Sequence, residues 1–207
     1  LQQTQVIKVI DYYNRFIAEF PTIHAFAAAD QQLVLKLWEG LGYYARARNF
    51  HRAAKIVVEE YAGEVPDDYE KFSHLPGVGD YIAAAVQSIA FNSPYAVVDG
   101  NVKRVLARLL LIEAPVNDAR SKPIFQQAAD KLLEKNNACD YNQAVMELGA
   151  LICRPRQPLC DNCPLRLLCG AYAAQKVDAF PKRNPSRKIP TRHLVMAIII
   201  KDKDVLI

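Results

Sequence analysis

The chain has 207 residues, 51% of them hydrophobic, enough to bury one large core or two small ones. Its 26 basic and 22 acidic residues leave a formal charge of +4 and an isoelectric point near 8.8, compatible with a nucleic-acid partner without requiring one. No apolar run reaches the roughly 20 residues of a membrane span and the N-terminus lacks a secretory layout, so neither a membrane protein nor an exported one is expected.

From Gln2 to Phe20 apolar residues recur at helical spacing, and Pro21 stops the pattern. Leu1 has no cap before it, so the expectation is a piece cut from a longer chain. Asp30 caps a short helix reaching Trp38, which Gly40 and Gly42 break. A longer helix follows from about Ala45 to Tyr61, with Gly63 after it. Pro66-Asp67-Asp68-Tyr69-Glu70 reads as a capping box opening another short helix. Next come the turn Leu75-Pro76-Gly77-Val78-Gly79 and an alanine-rich helix from Asp80 to about Phe91. Further helices are predicted over Asn101–Leu111, Lys122–Lys135 and Tyr141–Ile152, which makes the fold all-α up to the cysteines. The basic, proline-rich stretch PKRNPSRKIPTRH reads as a linker, and LVMAIIIKDKDVLI as the first hairpin of a β-containing domain. The expected division is residues 1–94, residues 95–180 with the cysteines, and residues 181–207.

Three groups of residues carry chemistry. Gly77 and Gly79 suit a tight turn that leaves the N-H groups of a helix start exposed, an arrangement fitted to a phosphate oxygen, although glycine pairs also serve ordinary turns. Asp99, in VVDGNVKRV, stands between an apolar run and a helix start, where an aspartate is ordinarily an N-cap. Cys153, Cys160, Cys163 and Cys169 are spaced C-x6-C-x2-C-x5-C. With no export route a dense cysteine group binds metal more often than it forms disulfides. Only Cys160 and Cys163 have the close spacing of a zinc pair, and looser spacing suits a cluster. Cys139 reads as an idle or buried thiol.

Leu75-Pro76-Gly77-Val78-Gly79 with Ala83, Ala84, Ala85 and Val86 behind it resembles the helix-hairpin-helix motif of DNA repair enzymes. VDGNVKRVLAR, together with LQQTQV, LWEGLGYYARARN, NQAVMELGALIC and the cysteine array, is similar to the MutY-type adenine DNA glycosylases, relatives of endonuclease III. These matches cover almost the whole chain. The resemblance implies a helix-hairpin-helix glycosylase fold with a four-iron, four-sulfur (4Fe-4S) cluster on Cys153, Cys160, Cys163 and Cys169. It implies Asp99 as the carboxylate that stabilises the sugar cation, with Tyr81 and Asn101 lining the same site. Bifunctional relatives carry at the position of Tyr81 a lysine that attacks the sugar, and tyrosine cannot do this, so a monofunctional hydrolase is implied. Leu75, Gly77, Val78 and Gly79 would hold the DNA backbone, Arg154 and Arg156 in the cysteine loop would reach it too, and Gln3 and Tyr43 would fill the gap left by a flipped base. Tyr44 and Trp38 are expected to pack in the core. Asp80 departs from a family position that is often basic.

The implied substrate is adenine mispaired with 8-oxoguanine or guanine in double-stranded DNA, attacked by a monomer in the bacterial cytoplasm or, in a eukaryote, the nucleus or mitochondrion. Glycosidic hydrolysis also needs an acid to protonate the leaving base. The family's glutamate stands three residues before the leucine matching Leu1, upstream of this chain, so the expectation is a fragment that binds DNA without turnover. The alternatives are an endonuclease III-like enzyme acting on oxidised pyrimidines and a DNA-binding module without catalysis.

Overall fold

A computed structural model describes residues 6–185 together with 200–201 and 204–205. The polypeptide is built from ten α-helices among these residues: α1 (Val6–Glu19), α2 (Ile23–Ala28), α3 (Gln31–Leu37), α4 (Tyr44–Glu60), α5 (Tyr69–Ser73), α6 (Asp80–Phe91), α7 (Gly100–Leu109), α8 (Lys122–Leu132), α9 (Ala138–Glu147) and α10 (Gly170–Ala173). Short 3-10 turns and one π turn, Leu148–Ile152, link them. The two-residue strands β1 (Ile200–Lys201) and β2 (Asp204–Val205) pair antiparallel, Ile200 opposite Val205. No helix among the described residues is long and apolar enough to cross a membrane.

Local chemistry explains most helix starts. Asp30, Asp68 and Asp99 accept hydrogen bonds from the first turns of α3, α5 and α7, satisfying donors that a helix start would leave open. The cap of α5 is Asp68, within the stretch Pro66–Glu70 expected to open it, and its carboxylate takes the Lys71 N-H at 2.9 Å. Helix α2 is too short to show periodicity, yet Thr22 caps it in the ordinary way, accepting from the Ala25 N-H. Helix α7 ends at Leu109, because Leu111 turns into the left-handed region at φ +54°.

Phe20, Phe26, Val34, Ala47 and Ala54 form one core where α2, α3 and α4 meet. Ala53, Val57, Phe72, Leu75 and Ala83 extend it under the turn before α6. A further core, with Phe125 fully enclosed, joins α7, α8 and α9 through Val102, Leu106, Ala129 and Ala138. Helix α6 lies along α9 and brings the second of these cores against the third. Burial at this scale stabilises by about 1.5–3 kcal/mol per large apolar side chain. A largely apolar cavity of about 620 Å3 separates α1 from α4 and the turn before α6, with Phe16, Ile17, Phe50, Val57 and Ile82 among its walls.

The segment after Phe180 is clipped to the α7–α8 connection. Val116 N-H donates to Lys182 O at 3.0 Å, and Asn117 and Asn184 exchange hydrogen bonds. Asp118 next to this clip is held down to about 2 by its side-chain and backbone hydrogen bonds with Arg120, with help from Asn184. The linker residues Arg187, Lys188 and Arg192 lie outside the described residues.

Candidate active site and cysteine cradle

The turn before α6 uses its two glycines differently. Gly77 has φ +81°, and a Cβ there would meet the Asn49 side chain at 2.8 Å, so no other residue fits without displacement. Gly79 is the N-cap of α6 with ordinary extended backbone and open space around it, and no side chain closes that helix start. Leu75 is 5% exposed, so its side chain anchors the turn in the core and only its backbone stands at the turn surface where the sequence reading placed DNA. Val78 packs partly against the same core.

Asp99 stands at the start of α7, on an extended stretch held from two sides. Asn142 is buried, accepts from the Val97 N-H at 3.0 Å and donates to Tyr95 O at 2.9 Å. Gln126 of α8 donates to Ala96 O. The Asp99 carboxylate takes the Val102 N-H on Oδ1 at 2.7 Å and Asn101 Nδ2 on Oδ2 at 3.2 Å, which makes it an N-cap and part of a side-chain network at once. An anion here also faces the positive end of α7. Tyr81, on the first turn of α6, lies close enough that its phenol is pushed up, first by burial and then by the Asp99 charge. Asp99 and Asn101 are joined by a hydrogen bond, and the Asp99 charge reaches Tyr81 although the two stand eighteen positions apart in the chain.

Beyond Asn101 the network continues to the cysteines. Arg104 is buried and donates through Nη2 to Asn101 Oδ1 at 2.9 Å and Gly149 O at 2.7 Å, and through Nε to Cys153 O at 2.7 Å. Burial lowers its pKa, while Cys153 and Asp99 raise it. The close approach needs Gly149, since a Cβ there would sit 2.7 Å from Asn101 Cβ. One turn further along α7, Arg108 donates to Val177 O and Phe180 O through Nε, and through Nη1 to Arg154 O at 2.7 Å and Cys153 Sγ at 3.3 Å.

Cys153, Cys160, Cys163 and Cys169 line one cavity of about 30 Å3 with Arg108 and Tyr172. Among the described residues no three His, Cys, Asp or Glu side chains converge as closely as a single metal ion would need. Burial pushes the Cys160 thiol up, as do the neighbouring cysteines, and Arg108 opposes them. Arg156 is exposed, whereas Arg154 is partly buried and donates to Gln157 O within the loop.

Tyr43 is the N-cap of α4 at φ 50°, a strained position for a bulky residue, and its ring is 70% exposed beneath the Arg46 guanidinium. Tyr44 is 40% exposed, not in the core as expected, because the left-handed turn at Tyr43 starts the helix with that side chain outward. Trp38 packs against the first core and donates to Gly42 O. Gln3 lies outside the described residues. Sequence reasoning missed Arg104, Arg108 and Asn142. A signal existed for the arginines, since they sit four residues apart in a helix whose neighbouring positions, Val105, Leu106 and Ala107, are all buried.

A glycine turn before a helix, an aspartate at the next helix start and a cysteine cradle behind it together define a helix-hairpin-helix protein of the DNA glycosylase type. The model of the HhH-GPD superfamily of base excision DNA repair proteins matches residues 1–134, and the chain belongs to that family. It is 46% identical over 173 residues to the adenine DNA glycosylase of Rattus norvegicus, covering 83% of this chain and 34% of that protein. It is 35% identical over 204 residues to the adenine DNA glycosylase of Buchnera aphidicola from Acyrthosiphon pisum, covering 99% of this chain and 58% of the relative. The chain thus spans between about a third and three-fifths of the length of these relatives. Among solved structures it is similar to a thermostable thymine-DNA glycosylase, with a TM-score of 0.72 at 29% identity over 80% of this chain and 76% of the other. A trapped endonuclease III–DNA covalent intermediate aligns with a TM-score of 0.71 at 27% identity, covering 84% and 80%.

Proposed function

We propose that this chain is the core of a monofunctional DNA glycosylase that hydrolyses the N-glycosidic bond of adenine opposite 8-oxoguanine or guanine. The observation that carries the reading is the Asp99 carboxylate beside Tyr81 and Asn101, next to a glycine turn whose helix start is open. In the reaction the C1′–N9 bond breaks, the leaving adenine takes a proton, and water adds its oxygen to C1′ and releases a proton. Asp99 stabilises the sugar cation between these events, and it is held for that by the Val102 N-H and by Asn101, itself fixed by Arg104. The acid is the glutamate that the resemblance places upstream of Leu1. Because the target lies within a duplex, the nucleotide must be flipped out, and the exposed ring of Tyr43 is the candidate wedge among the described residues. In this reading the turn at Gly77 and Gly79 and the exposed Arg156 meet phosphates, the halves 1–94 and 95–180 face the DNA together, and the protein acts as a monomer.

The test is a duplex with adenine opposite 8-oxoguanine, offered to the chain extended at its N-terminus by a segment carrying the glutamate that the resemblance implies. An alkali-labile site in the adenine strand is expected, and intact strands under single-turnover conditions would refute the enzyme reading. The endonuclease III-like alternative predicts instead a covalent adduct trapped by borohydride, which Tyr81 in place of lysine argues against.

The cysteine cradle is read as the site of a 4Fe-4S cluster. Four thiols that share one cavity, yet do not converge on a point, fit a group with four separate attachment atoms better than one ion. The Arg108 guanidinium beside Cys153 Sγ suits thiolate ligands. When bound, such a group would brace the loop from Cys153 to Cys169 and so the backbone oxygen that Arg104 holds. Purified protein is expected to be brown, with about four iron and four acid-labile sulfide per chain. A colourless protein containing zinc would overturn this assignment.

A further inference from the structure

Asp80 is the first residue of α6, immediately after the glycine turn, so this chain carries a carboxylate beside a helix start that no side chain caps. Like charge there would repel a DNA phosphate. The structure shows what answers it: Lys122, the first residue of α8, reaches across 42 positions of sequence and pairs its Nζ with Asp80 Oδ2. Both side chains are more than half exposed, so water screens the pair and it contributes little to folding. A pair of that kind exchanges partners readily. Tyr69, whose ring lies 4.4 Å from Tyr95, senses both charges: burial and Asp80 push its phenol up, and Lys122 pulls it back.

We propose that Lys122 is a phosphate-contacting residue of the glycine-turn site, and that Asp80 holds it at the mouth of that site while limiting its grip. Phosphate and Asp80 then compete for one ammonium, which weakens binding at every duplex sequence alike and leaves recognition to the base-contacting residues. This inference rests on the reading that the chain binds duplex DNA.

The test is the salt dependence of binding to a fluorescein-labelled duplex carrying adenine opposite 8-oxoguanine, measured with the full 207-residue chain. Asp80→Asn is expected to tighten binding about three- to tenfold and to steepen the slope of log K against log salt by about 0.9, the value for one added phosphate contact. Lys122→Gln placed in the Asp80→Asn protein should remove both gains. Lys122→Gln alone should weaken binding, because it leaves Asp80 facing the phosphate unmasked. A pair with only a structural role would instead shift thermal stability slightly and leave the slopes alone, and that outcome overturns the inference. If the unaltered chain binds no duplex, the DNA reading falls and this inference with it; if it binds and the slopes of all variants coincide, the inference alone fails.

Discussion

Asp99→Asn is expected to slow adenine excision by about a thousandfold in a chain that includes the upstream segment, the scale on which one positioned charge acts in a transition state. Duplex binding should survive, because the substitution separates the two duties of this residue. Asparagine caps helices as well as aspartate does, so its Oδ1 still accepts the Val102 N-H and α7 keeps its start. What disappears is the negative charge and one link of the network: Asn101 donates to Asp99 Oδ2 and accepts from Arg104, so an amide at position 99 confronts donor with donor. That costs about 1 kcal/mol, a few degrees in melting temperature. Asp99→Ala would lose the cap as well, about 1 kcal/mol more. Single-turnover rates and duplex anisotropy on the same preparations decide the matter. Persistent excision by Asp99→Asn would show the carboxylate to be a cap and nothing else.

Arg108→Ala is expected to produce the largest loss of stability of any single polar substitution in the described chain, about 3–5 kcal/mol. The side chain is 2% exposed, and its guanidinium holds the carbonyls of Arg154, Pro155, Val177 and Phe180 together with Cys153 Sγ. Truncation leaves buried oxygens with no donor, and each such group costs about 1–3 kcal/mol. A fall in melting temperature on the order of 10 °C follows for a chain of this size. Arg108→Lys should recover only part of it, since an ammonium is a point charge that cannot span acceptors on both sides of a planar fork. The same variants should lose iron during purification if the cradle holds a cluster. A melting temperature within a degree or two of the parent would show that the loop is held by other means.

The arginines also bear on how the two parts of the site communicate. Asp99, Asn101, Arg104 and the Cys153 carbonyl form one hydrogen-bonded series, and Arg108 touches the sulfur of the same cysteine. A loop that is badly placed at Cys153 therefore misplaces the carboxylate, without any contact between the two.

Much of this molecule was legible from local chemistry. Helical periodicity located α4, α6, α7, α8 and α9 to within a few residues, because each buries one apolar stripe and the caps at Asp30 and Asp99 are local bonds. Short helices such as α2 and α10 were invisible to periodicity, having too few turns to show a stripe. The cysteine spacing, the glycine turn and Asp99 stand out as residue types whose chemistry is unusual at their positions. Burial decides what position alone leaves open: the Leu75 side chain within the motif faces the core, Tyr44 beside Tyr43 faces solvent against expectation, and only Gly77 of the two glycines needs to be glycine.

Sequence by itself therefore determined the helical class, the family and the residue types available for chemistry, since these rest on periodicity and on motifs read within a few residues of one another. Tertiary structure decided which of those residues meet. Arg104 on the Cys153 carbonyl and Lys122 on Asp80 are contacts across 49 and 42 positions of chain, and the charge of Asp99 reaches Tyr81 across 18. Such contacts are set by how α6, α7, α8 and α9 pack, and packing depends on the shape of whole helix faces, which no short stretch of residues encodes.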